Sequence, residues 1–164
     1  MSKTGVMICG HGSRDEEAVA EFQSLARGMR ERLPQYDVES GFLEFAQPTI
    51  QEGLEKLVKR GVTEILAVPA MLFAAGHVKN DIPWELNSFA ASHPNVSLSC
   101  GRDLSIEPKL LMAARDRIAT AMGATGDGVA VADTLLMVVG RGTNDPDANS
   151  NISKVSRMLW EGMD

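Results

Sequence analysis

Four short segments of the chain, residues 6–9, 36–43, 64–69 and 96–100, are rich in residues that favour β-strands. Longer segments with helical periodicity separate them. Strands that alternate with helices of this length are typical of a parallel sheet whose two faces are covered by helices. The pattern therefore predicts an α/β fold with a doubly wound, flavodoxin-like, four-stranded parallel sheet.

Between the predicted strands, apolar residues recur at helical spacing, so each segment has one apolar face. The first helix is predicted to begin at Ser13, because Ser13 and Glu16 have the spacing of a capping box. The second is predicted to carry Pro48 in its first turn and to end at Gly61. Further helices are predicted over residues 81–91 and 106–122. The apolar faces of the first two helices are formed by Val19, Phe22, Leu25, Ala26 and Met29, and by Ile50, Leu54, Leu57 and Val58.

The pattern of the first strand and helix returns at an offset of 130 residues. A strand is predicted at residues 135–140, and a glycine pair and a helix follow it as in the first copy. Arg141 stands where His11 stands in that copy, so the turn itself does not require a histidine. Identical residues at this offset are Met7, Gly10, Gly12, Asp15, Ala18 and Arg27, which match Met137, Gly140, Gly142, Asp145, Ala148 and Arg157.

This internal duplication predicts that the chain has three parts of unequal length. Residues 1–123 form a complete α/β lobe, residues 124–134 a linker rich in glycine and small residues, and residues 135–164 the first strand and helix of a second, similar lobe. One strand with one helix cannot enclose a core. We therefore expect a truncated two-lobed protein, whose last segment packs on its own lobe or on a second copy of the chain.

Composition and charge exclude several classes of protein. The 164 residues, 44% of them hydrophobic, suffice for one ordinary core, and a net charge of −6 argues against general affinity for nucleic acid or an anionic membrane. No apolar run approaches the roughly 20 residues of a membrane helix, and the N-terminus lacks a signal-peptide pattern. We expect a cytoplasmic protein. Cys9 and Cys100 fit no metal-ligand motif and are predicted to be buried free thiols.

Two histidines follow predicted strands in matching ways. His11 comes after the first strand and His77 after the third, each preceded by a glycine and followed by a helix. Because the carboxyl ends of parallel strands meet at one edge of the sheet, both histidines should face one cleft. A solvated loop histidine is the plainer interpretation of either one alone. His93 has no such setting and is interpreted as a surface residue.

Three motifs together resemble those of the class II tetrapyrrole chelatases: GHGSRD at residues 10–15, EFAQPTI at 44–50 and GHVKNDIP at 76–83. The resemblance covers residues 5–120 as one chelatase-like lobe. It is closest to the sirohydrochlorin cobaltochelatases of cobalamin synthesis and to the related ferrochelatases of siroheme synthesis. It implies a lyase that inserts a divalent metal ion into a tetrapyrrole without ATP, with Co²⁺ favoured and Fe²⁺ possible. The metal is then a substrate, and no tightly bound cofactor is implied.

The resemblance also implies roles for residues. His11 and His77 would be the catalytic and metal-binding pair, and Glu44 the accompanying acid. The chemistry is suitable, because a neutral imidazole accepts a proton or binds such an ion, and a carboxylate can orient the imidazole or take the proton on. Glycines would leave room for a flat ring, and cations, Arg102 among them, would meet its carboxylates. The candidate substrate-binding residues are Gly10, Gly12, Ser13, Arg14, Gly76 and Lys79.

Other functions use some of the same features. A histidine phosphatase also has a histidine-glycine pair after its first strand, but it needs an arginine where this chain has Gly10. A flavodoxin-like phosphate-binding module needs a hydroxyl-rich loop or a G-x-G-x-x-G motif, and it would leave two rim histidines unexplained. A non-catalytic carrier of Co²⁺ or Ni²⁺ needs the same histidines without a cleft for a macrocycle.

Overall fold

The computed structural model describes residues 3–124 and 130–162. The chain divides into two compact units, Met1–Leu104 and Ser105–Asp164. In the first unit, four strands alternate with three helices, and a single π-helical turn at His77–Asp81 precedes the third helix. These elements are β1 (Thr4–Gly10), α1 (Glu16–Arg32), β2 (Asp37–Phe42), α2 (Ile50–Lys59), β3 (Glu64–Pro69), α3 (Ile82–Ser92) and β4 (Ser97–Cys100).

The four strands form one parallel sheet in the order β2-β1-β3-β4. The chain moves from β1 to one neighbour, β2, and then crosses to the other side for β3. The strand order therefore reverses between β1 and β3. Open parallel sheets bind ligands in the crevice beyond the carboxyl ends of the strands at such a switch point. The predicted α/β, doubly wound, parallel fold is confirmed.

Two apolar cores lie on the two faces of the sheet, because successive residues of a strand point to opposite sides. On one face, Met7 and Cys9 of β1 pack with α2 and α3. On the other, Val6 and Ile8 pack with Ala26 of α1. The apolar stripe of α2 is confirmed, whereas Leu25, which was predicted on the apolar face of α1, is 49% exposed.

The starts of two helices differ from the predictions. Asp15, not Ser13, caps α1, since its side chain accepts a hydrogen bond from the Glu17 N–H. Ser13 instead accepts from the Asp15 N–H, which holds the turn before the helix. Pro48 lies before the N-cap of α2 and not within its first turn, because Thr49 forms a capping box with Glu52. The predicted capping box at Ser13 and the predicted place of Pro48 in the first turn of α2 are therefore both wrong.

The two cysteines have different environments. Cys9 is buried and Cys100 is exposed, so the prediction of a buried thiol is confirmed for Cys9 and wrong for Cys100. Cys100 is the last residue of β4, which lies at the edge of the sheet. Burial is the main reason that the pKa of the Cys9 thiol rises to about 12, and the nearby Cys100 thiol adds to the shift.

The second unit contains α4 (Pro108–Ala124) and α5 (Pro146–Glu161), with a short 3₁₀ turn at Val131–Asp133. The strand predicted over residues 135–140 is wrong: these residues form no regular secondary structure. A strand needs hydrogen bonds from a neighbouring strand, and in residues 130–162 none is present to supply them. Leu135, Met137 and Val139 are 87%, 76% and 83% exposed, and Leu135 borders an open apolar groove beside Trp160.

Local geometry nevertheless repeats at the offset of 130 residues. Asp145 caps α5 as Asp15 caps α1, and Gly142 has a positive φ of 77° where Gly12 has 96°. A Cβ on Gly10 would meet the Phe22 ring, and one on Gly140 would meet Ile152, the residue that matches Phe22. The division into a lobe, a linker and a second repeat stays a prediction. Residues 125–129 of the predicted linker lie outside the described residues. Among the described residues, no helix has the length and apolar character to cross a bilayer.

Candidate active site at the switch point

His11 and His77 meet at the switch point of the sheet. His11 directly follows β1, and His77 begins the π-helical turn that follows the loop after β3. Their ring centroids are 4.5 Å apart, and the rings are nearly perpendicular. The expectation that both histidines lie at one edge of the sheet is confirmed, because β1 and β3 are adjacent and parallel.

The backbone brings Glu44 to the same place. After β1 and β2 end, the Leu43 N–H donates to the Gly10 carbonyl and the Glu44 N–H donates to the His11 carbonyl, at 2.8 and 3.0 Å. Gly12 allows this contact, since a Cβ there would lie 1.7 Å from the Glu44 carbonyl oxygen. The fold thus requires glycine at position 12 for the close approach of two loops. A role for Gly12 in admitting a ligand stays a prediction.

His11, Glu44 and His77 form one cluster of possible metal ligands. One ligand atom from each residue lies within 4.8 Å of the other two. His11 Nε2 is 3.4 Å from Glu44 Oε1, and these side chains are 29% and 40% exposed. All three are therefore open to a solute while the backbone holds them in place. The cluster has the nitrogen and oxygen donors that suit a divalent transition metal.

Hydrogen bonds fix how both imidazoles face the cluster. His11 Nδ1 lies 2.9 Å from the Gly12 carbonyl oxygen, and His77 Nδ1 lies 2.7 Å from Asp81 Oδ2. Both partners are acceptors, so each Nδ1 carries the proton and donates it. In a neutral ring this leaves the Nε2 lone pair as the free acceptor. The π-helical turn, a feature often found at functional sites, contains both His77 and Asp81.

The arrangement of acceptors at His11 and Glu44 favours a bound cation between them. With Nδ1 as the donor, a neutral His11 would point its Nε2 lone pair at a carboxylate oxygen 3.4 Å away. Two acceptors that face each other in this way repel, and a cation bound between them removes the repulsion. The pair is therefore suited to share a metal ion.

The loop between β3 and the π-helical turn is held from two sides. The Ala70 N–H donates to the Cys9 carbonyl at 2.8 Å, and the Ala74 N–H donates to Asp103 Oδ2 at 2.9 Å. This loop carries His77 to the edge of the sheet. Gly76 is exposed, and a Cβ there would meet open space, so this glycine is not required by packing.

The remaining candidates lie around the cluster with different surroundings. Arg14 is exposed, with its guanidinium 5.0 Å from the centre of the Phe45 ring. Lys79 is exposed on the π-helical turn, and Ser13 is engaged in the turn before α1. His93 is not a free surface residue: its ring stacks on Phe89 with centroids 4.0 Å apart.

Sequence reasoning missed three residues that shape this site. Asp81 orients His77, Asp103 holds the loop before it, and Phe45 has its ring centroid 6.1 Å from that of His11. The four-residue spacing of His77 and Asp81 was a usable signal, because residues at i and i+4 lie on one face of a helix. Phe45 lies inside the EFAQPTI motif, but nothing in the sequence singled it out within that motif, and no motif contains Asp103.

Comparisons with known proteins agree with a metal-binding site of this geometry. Sirohydrochlorin ferrochelatase of Bacillus subtilis (strain 168) is 32% identical over 159 residues, which are 97% of this chain and 59% of that protein. Sirohydrochlorin cobaltochelatase of Priestia megaterium is 34% identical over 159 residues, which are 95% of this chain and 50% of that protein. The structure of SirB from Bacillus subtilis with Fe³⁺ has a TM-score of 0.86 at 32% identity and matches 97% of this chain and 61% of that one.

This chain therefore spans between half and three fifths of the length of these relatives. Residues 5–121, which contain His11, Glu44 and His77, match the sequence profile of the CbiX family. The match covers most of the chain, and the shared fold is the doubly wound parallel sheet described above. The chain belongs to the CbiX family.

Proposed function

We propose that this protein inserts a divalent metal ion into sirohydrochlorin without ATP, with Co²⁺ favoured and Fe²⁺ also accepted. The observation that carries the proposal is the cluster of His11, Glu44 and His77, whose ligand atoms lie within 4.8 Å of one another at the switch point. Relatives that are named for cobalt and for iron chelation, at 34% and 32% identity, support the same reaction class.

The cluster is suited to receive a hydrated divalent ion and then to release it. Two imidazole nitrogens and one carboxylate oxygen are enough to bind Co²⁺ or Fe²⁺ while water fills its other positions. All three side chains are partly exposed, so the ion stays accessible from one side. A chelatase needs this incomplete coordination, because the macrocycle must replace the protein ligands one after another.

Protons leave as the metal enters. A tetrapyrrole gives up two N–H protons when it takes up a divalent ion, and the protein must accept at least the first of them. An imidazole that has just lost the ion has a free Nε2 lone pair, which can accept that proton. Glu44, 3.4 Å from His11 Nε2, can take the proton on towards solvent. We therefore assign His11 and His77 as catalytic and metal-binding residues and Glu44 as the proton relay.

Substrate binding has to overcome the net charge of −6, since sirohydrochlorin is itself a polyanion. Local cations support this step. Arg14 and Lys79 are exposed and stand within a few residues of His11 and His77 in the chain. A guanidinium binds a carboxylate through two parallel hydrogen bonds, which makes arginine well suited to the task. Gly10, Gly12, Ser13 and Gly76 complete the proposed substrate-binding set.

We further propose that another α/β lobe, in the same polypeptide or in a second copy, supplies the second wall of the cleft. Two facts support this. The relatives are longer than this chain, and Leu135, Met137 and Val139 are exposed in the second unit. If a second copy supplies the lobe, sedimentation should show a dimer or a larger assembly, whereas an active monomer of 17.7 kDa would contradict the proposal. The free thiols of Cys9 and Cys100 support a reducing compartment such as the cytoplasm.

Two measurements on the same protein separate a chelatase from a carrier of Co²⁺ or Ni²⁺. Titration with Co²⁺ measures binding to the cluster. Incubation with sirohydrochlorin and each ion in turn, followed by absorption, measures insertion above the uncatalysed rate. We expect both binding and accelerated insertion. Tight Co²⁺ binding with no acceleration for any ion would identify a carrier and overturn the proposed reaction.

A further inference from the structure

Phe45, the residue after Glu44, has a strained backbone. Its φ is 63°, in the left-handed region that bulky L-residues rarely adopt. Such a conformation lowers the folding equilibrium constant about 5- to 30-fold. The loop imposes it, because the Glu44 N–H donates to the His11 carbonyl and the Ala46 N–H donates to the Glu44 carbonyl. Strained residues of this kind collect at sites that bind ligands.

Packing within the protein does not explain why the residue here is phenylalanine. Phe45 is 53% exposed, so much of its ring faces solvent. Arg14 lies 5.0 Å from the ring centre, but an exposed cation–π contact strengthens folding only about two- to fivefold. Glycine at position 45 would adopt the same φ without strain. The protein thus keeps a strained, exposed aromatic ring with its centroid 6.1 Å from that of His11.

We propose that Phe45 binds the substrate by stacking on the flat macrocycle, and that Arg14 binds one of the macrocycle's carboxylates. This assignment rests on the proposed chelatase function and deepens it. An aromatic side chain gains most from contact with another flat conjugated surface. Arg14 forms no ion pair with any residue in 3–124 or 130–162, so its guanidinium is available to a carboxylate of the substrate.

The two halves of the site then have separate tasks. His11, Glu44 and His77 bind the ion, while Phe45 and Arg14 hold the ring that will receive it. Separate tasks predict that variants of Phe45 and Arg14 lose affinity for the macrocycle and keep affinity for the metal. A purely structural role for Phe45 predicts the opposite, because a distorted loop would also displace Glu44.

The test is a binding titration with metal-free sirohydrochlorin, followed by the change in its absorption. Phe45→Ala and Phe45→Gly remove the ring, and Phe45→Tyr keeps it. A contact that covers the exposed half of a phenylalanine accounts for about 100 Å² of apolar surface. Since part of that surface stays wet, we expect Kd to rise about tenfold for the first two variants and less than twofold for the third.

The alanine and glycine variants separate recognition from folding. Alanine keeps the backbone strain and glycine removes it, so Phe45→Gly should unfold at a higher denaturant concentration than Phe45→Ala. Their Kd values for sirohydrochlorin should nevertheless be equal. The proposal would be overturned if the less stable of these two variants also had the weaker affinity for sirohydrochlorin. Wild-type affinity in both variants would overturn it too.

Arg14→Gln and a Co²⁺ titration complete the design. Arg14→Gln should weaken sirohydrochlorin binding about tenfold and reduce its salt dependence, because one charge pair is lost. Binding of Co²⁺ without macrocycle should stay within twofold of wild type in all four variants. A wild-type protein that binds Co²⁺ but no sirohydrochlorin would overturn the chelatase function and this inference together. Wild-type affinity for sirohydrochlorin in both Phe45→Ala and Arg14→Gln would overturn the inference alone.

Discussion

Replacing Asp81 by asparagine is expected to weaken Co²⁺ binding to the cluster about tenfold, because His77 would lose the carboxylate that orients it. The substitution keeps the shape of the side chain and removes its charge. In the native protein, Asp81 Oδ2 accepts a hydrogen bond from His77 Nδ1 at 2.7 Å, which leaves Nε2 free for the ion. An amide can also offer its NH₂ group to Nδ1, and that favours the wrong tautomer for metal binding.

The size of the expected loss in Co²⁺ affinity depends on how exposed His77 and Asp81 are. Removing a hydrogen-bond partner of a metal-binding histidine costs roughly 10- to 100-fold in metal affinity. The side chains of His77 and Asp81 are 44% and 53% exposed, so water can replace part of the lost interaction. We therefore expect the lower end of that range, which corresponds to about 1.4 kcal/mol.

The assay is a calorimetric or visible-absorption titration with Co²⁺, and the chain offers a matched control. Glu55 lies 3.5 Å from His93, so Glu55→Gln makes the same change beside a histidine outside the cluster. Glu55→Gln should bind Co²⁺ as the wild type does. Equal affinities in wild type and Asp81→Asn, or an equal loss in Glu55→Gln, would refute the assigned role of Asp81.

Four further predictions concern two glycines, the thiols and Glu44. Gly12→Ala should destabilise the protein by more than about 3 kcal/mol in denaturant titrations, because its Cβ would collide with a carbonyl oxygen at a positive φ. Gly76→Ala should change stability by less than about 0.5 kcal/mol, because a Cβ there meets open space. At pH 8 a thiol reagent should label Cys100 and spare Cys9 until the protein is unfolded. Because the folded pKa of Cys9 is raised to about 12, folding stability should fall between pH 9 and 12, by up to about 1.4 kcal/mol per pH unit, and Cys9→Ala should remove this slope. Glu44→Gln should slow metal insertion less than the loss of either cluster histidine in initial-rate assays, because water can partly replace a proton relay; an equal loss would make Glu44 an essential ligand.

The sheet and the meeting of the two histidines could be predicted because both follow from order along the chain. Buried strands are short apolar runs, and helices between them force parallel pairing. His11 and His77 then share an edge because they follow strands 1 and 3. Their rings are only 4.5 Å apart because β1 and β3 are neighbours in the sheet. The order of elements along the chain does not by itself predict that neighbour relation.

Features that depend on competition between near neighbours were harder to predict. Ser13 and Asp15 are both good N-caps, but Asp15 caps α1 while Ser13 accepts a hydrogen bond from the Asp15 N–H. Residues 135–140 have the composition of a strand, but a strand exists only when another chain segment pairs with it. Composition therefore could not determine their structure.

The orientation of the site residues could not be predicted from the sequence, for a different reason. Asp81 acts through a hydrogen bond whose geometry depends on a π-helical turn, and local patterns do not reveal such a turn. The left-handed backbone of Phe45 goes with two hydrogen bonds, one within its own loop and one from Glu44 to His11, which is distant in the chain. Both are tertiary effects that override local preference.

The central claim, that His11 and His77 together carry metal insertion, is tested most directly by the initial rate of Co²⁺ insertion into sirohydrochlorin. Wild type should be compared with His11→Ala, His77→Ala and His93→Gln, of which the last changes the histidine outside the cluster. We predict that the first two variants fall to the uncatalysed rate while their folding is intact, and that His93→Gln keeps most of the wild-type rate. A near-wild-type rate in either alanine variant would contradict the account.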